Sequence, residues 1–238
     1  MGTLSIVSTP IGNLEDITIR AIKTLFTVDA ILCEDTRHTG LLLSELIKRY
    51  GEAFDMVSET TPPLIPYYDE IEFKKLPEVI ERLLQGEHLA LVSDAGTPLI
   101  SDPGYKLISE CLKRNIKIES IPGPSAIITA LTSSGMPTDT FMFLGYPPEK
   151  QLARIQLFDT LSQSVRSLKH HPTLVFYCAP HKLNQTLLDM KQVFGDIDIS
   201  VARELTKIHE EIWNGNIRDA ITTFTEPKGE FVLLIRLS

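Results

Sequence analysis

The sequence predicts an α/β protein of two domains, the first built on a mainly parallel sheet and the second a mixed α/β unit. Three observations carry this. Short apolar runs alternate with helix-spaced apolar patterns from the N-terminus to about residue 135, which is the signature of a parallel sheet covered by helices. Two of those runs, LALVS at 89–93 and IKIES at 116–120, open into the Gly/Pro-rich loops DAGTPLISDPG and IPGPSA. The rhythm changes across GMPTDTFMFLGYPPEK, where Pro137, Gly145, Pro147 and Pro148 suggest a linker, so the domains are read as 1–138 and 139–238.

The first strand is read at 4–7, followed by the loop STPIGNLED, with Asp16 placed to cap a helix carrying Ile19, Ile22, Leu25 and Phe26 on one face. A second strand at 30–33 ends in EDTRHTG, after which Leu43, Leu46, Ile47 and Tyr50 recur at helical spacing. Pro62, Pro63 and Pro66 with several acids make 51–66 an exposed loop before a short strand near 65–68. Leu76, Val79, Ile80, Leu83 and Leu84 mark a helix stopped at Gly86. In the second domain, strands are read at 141–144, 173–178, 199–203 and 231–235, and helices near 149–168, 181–193 and 215–224.

At 238 residues the chain can bury a substantial core, and 43% apolar with 23% charged residues describes a soluble globular protein. No apolar stretch approaches membrane-spanning length, and MGTLSIVSTP lacks the basic flank and cleavage site of a signal peptide. No membrane association and a cytoplasmic location are therefore expected. Cys33, Cys111 and Cys178 are odd in number and free of CxxC spacing, which points to buried thiols. A net charge of −8 argues against generic polyanion binding, so any nucleic-acid role needs a local basic patch. The segment 150–171, with Lys150, Arg154, Arg166, Lys169, His170 and His171, is either such a patch or the wet face of an amphipathic helix.

Several chemistries are excluded. No two glycines are separated by a single residue, which removes GxGxxG, and no GK dipeptide occurs, which removes a P-loop. HEEIW at 209–213 has Trp213 where HExxH needs its second histidine, so no metal is expected. GxSxG is also missing. What remains is a set of polar loops at 9–16, 34–40, 94–104 and 122–125, at the strand ends where such sheets bind ligands. Their glycines permit close backbone approach and their prolines stiffen it.

The runs STPIGNLEDITIRA, CEDTRHTGLLL, LVSDAGTPLISDPGYKL, IPGPSAIITALTSSGMPTD and VARELTKIHEEIWNG closely resemble the ribosomal RNA small-subunit methyltransferase I family of the tetrapyrrole-methylase superfamily. The resemblance implies a two-domain tetrapyrrole-methylase-like fold, usually a homodimer, with S-adenosylmethionine in the cleft between domains and S-adenosylhomocysteine as product. It implies methylation of the 2′-hydroxyl of a cytidine in small-subunit ribosomal RNA. Cofactor contacts carried over from the family fall on Pro10 and Ile11, on Gly96, Thr97, Pro98, Leu99, Ile100 and Ser101, and on Ser125 and Ala126. Further contacts fall on Tyr177, Cys178, Ala179, Leu183, Ala202, Arg203 and Glu230. Where many members have FYESPHR this chain has FYCAPHK, and members commonly continue into a small helical domain where this sequence stops at Ser238.

A ribose hydroxyl is a weak nucleophile, and a carboxylate beside it could take its proton during methyl transfer. Glu34, Asp35 and Glu204 are the candidates, each after a strand end. Glu34 and Asp35 equally suit capping of the helix that begins near Thr36. Arg37 and Arg203 suit an RNA phosphate or the cofactor carboxylate, or else an ion pair with Glu34 or Glu204. Lys207 completes the catalytic candidates, beside His209 and Glu210 on what is otherwise a solvated edge. The alternatives are a superfamily methyltransferase acting on a porphyrinoid or a protein side chain, and a non-catalytic cofactor-binding ribosome-assembly module. EDTRHT and VARELTKIHEE resemble the rRNA subgroup rather than these.

Overall fold

The computed structural model describes residues 1–54 and 61–237, and the chain divides into two compact units, Met1–Ser125 and Ala126–Ser238. Residues 55–60 of the proline-rich loop lie outside the described residues. The division precedes the boundary read at 138 because helix Ala126–Ser133 packs on the last strand of the second unit.

The first unit runs β1 (Thr3–Val7), α1 (Ile19–Thr27), β2 (Ala30–Cys33), α2 (Thr36–Tyr50), β3 (Leu64–Pro66), α3 (Asp69–Leu84), β4 (His88–Leu91), α4 (Tyr105–Lys113) and β5 (Lys117–Ile121). Its five strands lie in the order β3-β2-β4-β1-β5, every pair parallel. All four residues of β2 are buried, as a strand covered on both faces must be. Alternation along the strands separates two cores: Val7, Ile31 and Cys33 meet Leu25, Leu43 and Leu46 of α1 and α2, while Leu4, Leu32 and Leu91 meet Val79, Leu83 and Leu107 of α3 and α4.

Helix α1 corrects one expectation. Its cap is Thr18, whose extended backbone presents the hydroxyl to the Ala21 N–H at 3.1 Å. Asp16 ends a single 3₁₀ turn, Leu14–Asp16, that comes too early to reach the first free amides of the helix.

From the carboxyl end of β1 the chain leaves over β4 to reach β2, whereas from β4 it leaves over β1 to reach β5. The two connections run in opposite directions on opposite faces, α1 lying with α2 and α4 with α3, and such a switch point opens a crevice above the ends of β1 and β4.

The second unit contains α5 (Ala126–Ser133), β6 (Phe141–Phe143), α6 (Gln151–Arg166), β7 (Thr173–Cys178), α7 (Leu183–Phe194), β8 (Asp198–Arg203), β9 (Glu211–Asn216), α8 (Ile217–Thr223) and β10 (Phe231–Arg236). Its sheet order is β6-β7-β10-β8-β9, with only β6 and β7 parallel. Phe158, Leu174, Phe176, Leu187 and Leu233 fill its core. Strand β9 was not among the expected strands. EIWNGN is poor in β-formers, yet as an edge strand it needs only β8 beside it, and Gly215 leaves room for the Trp213 ring, which a Cβ there would meet at 2.6 Å.

Candidate active site

The three loops above β1, β4 and β5 are fastened to one another. Thr9 and Gly96 exchange backbone hydrogen bonds of 2.8 and 3.1 Å. The Ser8 and Thr97 hydroxyls lie 3.0 Å apart, and Thr97 donates to the Pro124 carbonyl at 3.1 Å. Gly123 permits this approach, because a Cβ there would stand 2.9 Å from the Ser8 Cβ. The expected contacts Pro10, Ile11, Gly96, Thr97, Pro98 and Ser125 therefore occupy one neighbourhood, with Ile11 buried.

Leu99 and Ser101 adopt φ of +76° and +68°, a left-handed conformation that costs a non-glycine residue of order 1 kcal/mol or more. Among the described residues the backbone amides of Leu99 and Ser101 find no acceptor, while the turn over Pro98 and Leu99 points the Ile100 amide back toward Thr97. Free donors beside the partly exposed Leu99 and Ile100 side chains suit a small ligand with both polar and apolar parts. The loop is anchored at its far end by Glu72, a buried carboxylate that accepts the Gly104 N–H at 3.1 Å and pairs with Lys106 at 3.2 Å.

At the end of β2, Glu34 and Asp35 have opposite surroundings. Asp35 caps α2, accepting the Arg37 amide at 2.8 Å and the His38 amide at 3.4 Å, and pairs with the Arg37 guanidinium at 2.9 Å. These contacts, the Arg37 side chain foremost, hold its pKa down to about 2. Glu34 is half-buried, and burial followed by the charges of Asp102, Asp94 and Asp69 pushes its pKa up to about 7, against the Asp94 amide that favours its ionised form. Asp102 is likewise raised by burial, to about 6, with the Ser93 hydroxyl opposing. Arg37 pairs with its helix cap rather than with Glu34, and its guanidinium is otherwise exposed.

In the second unit, Cys178 and Arg203 both stand opposite Phe231 across β10, which gathers the ends of β7 and β8 with the start of β10. Tyr177, Ala179, Ala202, Arg203 and Glu230 share that edge. Leu183 and the Cys178 side chain are enclosed in the core, and burial raises the Cys178 thiol to about 11. Glu204 adopts φ of +48° and closes the edge: its Oε1 accepts the Glu230 N–H at 2.9 Å and Lys207 Nζ at 3.0 Å, while Lys207 also reaches Glu230 at 3.1 Å. Burial works against ionisation, but the Glu230 amide and Lys207 hold Glu204 below its usual range. Arg203 pairs with Glu211 at 3.5 Å and donates to the Lys228 carbonyl at 2.8 Å, so its expected partner Glu204 is replaced by a residue of β9. Among the described residues no group of three or more His, Cys, Asp or Glu side chains could hold a metal ion, and no helix is long and apolar enough to cross a membrane.

The basic segment 150–171 is corrected at Arg154. Its side chain is 2% exposed and bound to Asp189, with Nε to Oδ2 at 2.7 Å, so it cannot track a backbone in solvent. The Arg166 side chain lies outside what the structure describes.

The family model for tetrapyrrole (corrin/porphyrin) methylases matches residues 3–221. A protein of Synechocystis sp. named ribosomal RNA small subunit methyltransferase I is 46% identical over 99% of this chain and 79% of its own length. One of that name from Thermotoga maritima is 41% identical over 99% of this chain and 98% of its own. The chain belongs to the ribosomal RNA small-subunit methyltransferase I family. The methyltransferase I chain shares its fold with diphthine synthase, at TM-score 0.68 and 14% identity over 99% of this chain and 90% of the other. A uroporphyrin-III C-methyltransferase from Thermus thermophilus, solved with S-adenosylhomocysteine, aligns at TM-score 0.63 and 14% identity over 98% of this chain and 97% of the other.

The methyltransferase I motifs contain residues that the sequence reading passed over. Asp94 and Asp102 lie inside DAGTPLISDPG, whose glycines carry the sequence signal, and after burial their charges are the largest causes of the raised pKa of Glu34. Two carboxylates in a glycine loop were the available signal.

Proposed function

We propose that this chain transfers a methyl group from S-adenosylmethionine to the ribose 2′-hydroxyl of a cytidine in small-subunit ribosomal RNA, with Glu34 as the general base. The observation that carries the reading is identity of 41–46% across nearly the whole chain to proteins named for that ribosomal RNA. When bound, the cofactor supplies an electrophilic methyl on a sulfonium, a good leaving group, so the protein has chiefly to align and dehydrate the reactants.

The glycine loop fits that cofactor. Gly96 lets the β1 and β4 loops meet, the unengaged amides of Leu99 and Ser101 can donate to carboxylate or ribose oxygens, and Leu99 and Ile100 offer apolar surface to a nucleoside. Pro10, Ile11, Thr97, Pro98 and Ser125 are the other proposed contacts in the first unit, and Ala126, Tyr177, Cys178, Ala179, Leu183, Ala202, Arg203 and Glu230 are those that the family resemblance adds in the second. The enclosed side chains of Leu183 and Cys178 restrict them to backbone or shape roles.

Glu34 carries the proton step better than the other acids. A base whose pKa lies near the working pH combines proton affinity with a substantial ionised fraction, and a pKa of about 7 meets that condition. Asp35 is spent on its cap and Arg37, and Glu204 on Lys207 and Glu230. Arg37, Arg203 and Lys207 serve as cations near the acceptor strand's phosphates. A homodimer acting in the cytoplasm, where ribosomal subunits mature, completes the reading.

The test uses purified protein, labelled S-adenosylmethionine and small subunits from a strain lacking the endogenous enzyme. Label should appear in one ribose-methylated cytidine. Label on a base, a protein or a porphyrinoid alone overturns the assignment.

A further inference from the structure

Three aromatic rings converge where β7 ends. Phe143 meets Tyr177 edge-on with centroids 4.8 Å apart, and Tyr146 lies 5.4 Å from the same ring. Tyr146 is 59% exposed, yet its segment is fixed at several points. Gly145 turns at φ +65°, and its carbonyl accepts the Tyr177 N–H at 3.0 Å. Arg154, held by Asp189, donates to the carbonyls of Pro148 and Glu149 at 2.9 and 3.0 Å.

A large ring kept in water on a rigid mount forgoes the burial such rings normally gain, and is ready for a flat partner at little ordering cost. Lys150, His181 and Lys182 stand within a few residues of Tyr146 or Tyr177 and have no ion-pair partner among the described residues. Aromatic rings beside uncommitted cations recur where unpaired nucleic-acid strands bind, the rings stacking on bases and the cations following phosphates.

We propose that Tyr146, backed by Tyr177 and Phe143, is a stacking platform for an unpaired base of the small-subunit ribosomal RNA, with Lys150, His181 and Lys182 along its phosphodiester. This rests on the ribosomal RNA reading above. The cofactor's adenine is the other flat ring in the reaction, but the cofactor offsets its single carboxylate with an ammonium and a sulfonium, whereas an RNA strand brings a phosphodiester at every nucleotide to meet Lys150 and Lys182.

Methyl transfer to small subunits, calorimetric cofactor affinity and gel-filtration mass are measured for Tyr146→Ala, Tyr146→Phe and Tyr146→Trp. Stacking is worth about 1–3 kcal/mol per base, so Tyr146→Ala should raise KM for subunits about tenfold while kcat, cofactor affinity, mass and melting temperature stay unchanged. Tyr146→Phe should behave as wild type, and the indole introduced by Tyr146→Trp should be quenched by a single-stranded oligonucleotide of the decoding region. An unchanged KM in Tyr146→Ala overturns the platform. A loss of cofactor affinity reassigns the ring to the cofactor, and a change of mass reassigns it to a second copy of the chain; either also overturns it. A wild-type protein that labels no ribosomal RNA sinks the underlying reading instead.

Discussion

Glu34 and Asp35 are adjacent in the chain and titrate about five units apart, near 7 and 2. The consequence for activity is a kcat/KM that rises through pH 7 as Glu34 loses its proton. Glu34→Gln should remove that limb and lower kcat on the order of 100-fold, with cofactor affinity retained; a pH–rate profile of the variant that keeps the limb would assign it elsewhere. Stability runs the other way. An unfolded glutamate loses its proton near pH 4.3, whereas the folded one holds it to about 7, so between those values the folded state binds more protons and stability falls as pH rises. Denaturant midpoints at pH 5 and pH 8 should show that fall in the wild type and a smaller one in Glu34→Gln. The sequence marked both acids as candidate bases and as candidate caps. It could not part them, because the burial of Glu34 and the charges of Asp102, Asp94 and Asp69 that raise it come from other elements packed around the end of β2.

Helix α3 holds the glycine loop through one residue. Glu72 is 3% exposed and accepts from the Gly104 amide at 3.1 Å and the Tyr67 hydroxyl at 3.4 Å. Glu72→Ala leaves a buried amide and a buried phenol unsatisfied, which should cost roughly 2–4 kcal/mol by chemical denaturation and weaken cofactor binding more than a remote variant of equal stability. A variant that loses stability while cofactor affinity stays at the wild-type value would show that the loop holds its shape without α3. At this scale the sequence was legible where pattern and element agree: β2 and β7 fall on their expected residues, and Gly86 stops α3 with φ +105°. It was not legible where an element depends on a distant partner. Strand β9 exists because β8 offers it an edge, and Thr18 caps α1 because the preceding 3₁₀ turn uses up Asp16.

Across the molecule each unit has its own enclosed core, and the second adds a buried ion pair. Arg154 looked like a solvent-facing cation because its neighbours Lys150 and Lys169 are cations; its burial follows from α6 packing on α7, where Asp189 waits. Asp189→Ala strands that guanidinium, and removing one partner of a buried pair costs about 3–5 kcal/mol. Hydrogen exchange should then speed in β7 and β10 while β1 and β4 keep their protection; uniform loss would show that the two cores share one unfolding step. Fold class was legible in the alternation of runs, whereas the packing of α5 on β10 was not, since it joins residues more than ninety positions apart in the chain, about which local pattern says nothing.

The placement of β1 also bears on how the chain is made. It sits between β4 and β5, so the first strand synthesised has no neighbour to pair with until residues 88–121 exist. At typical elongation rates of roughly 5–20 residues per second, that is an interval on the order of ten seconds. Throughout it an apolar strand is held open on the ribosome, and whatever shields Leu4, Ile6 and Val7 in that time governs the yield of folded protein.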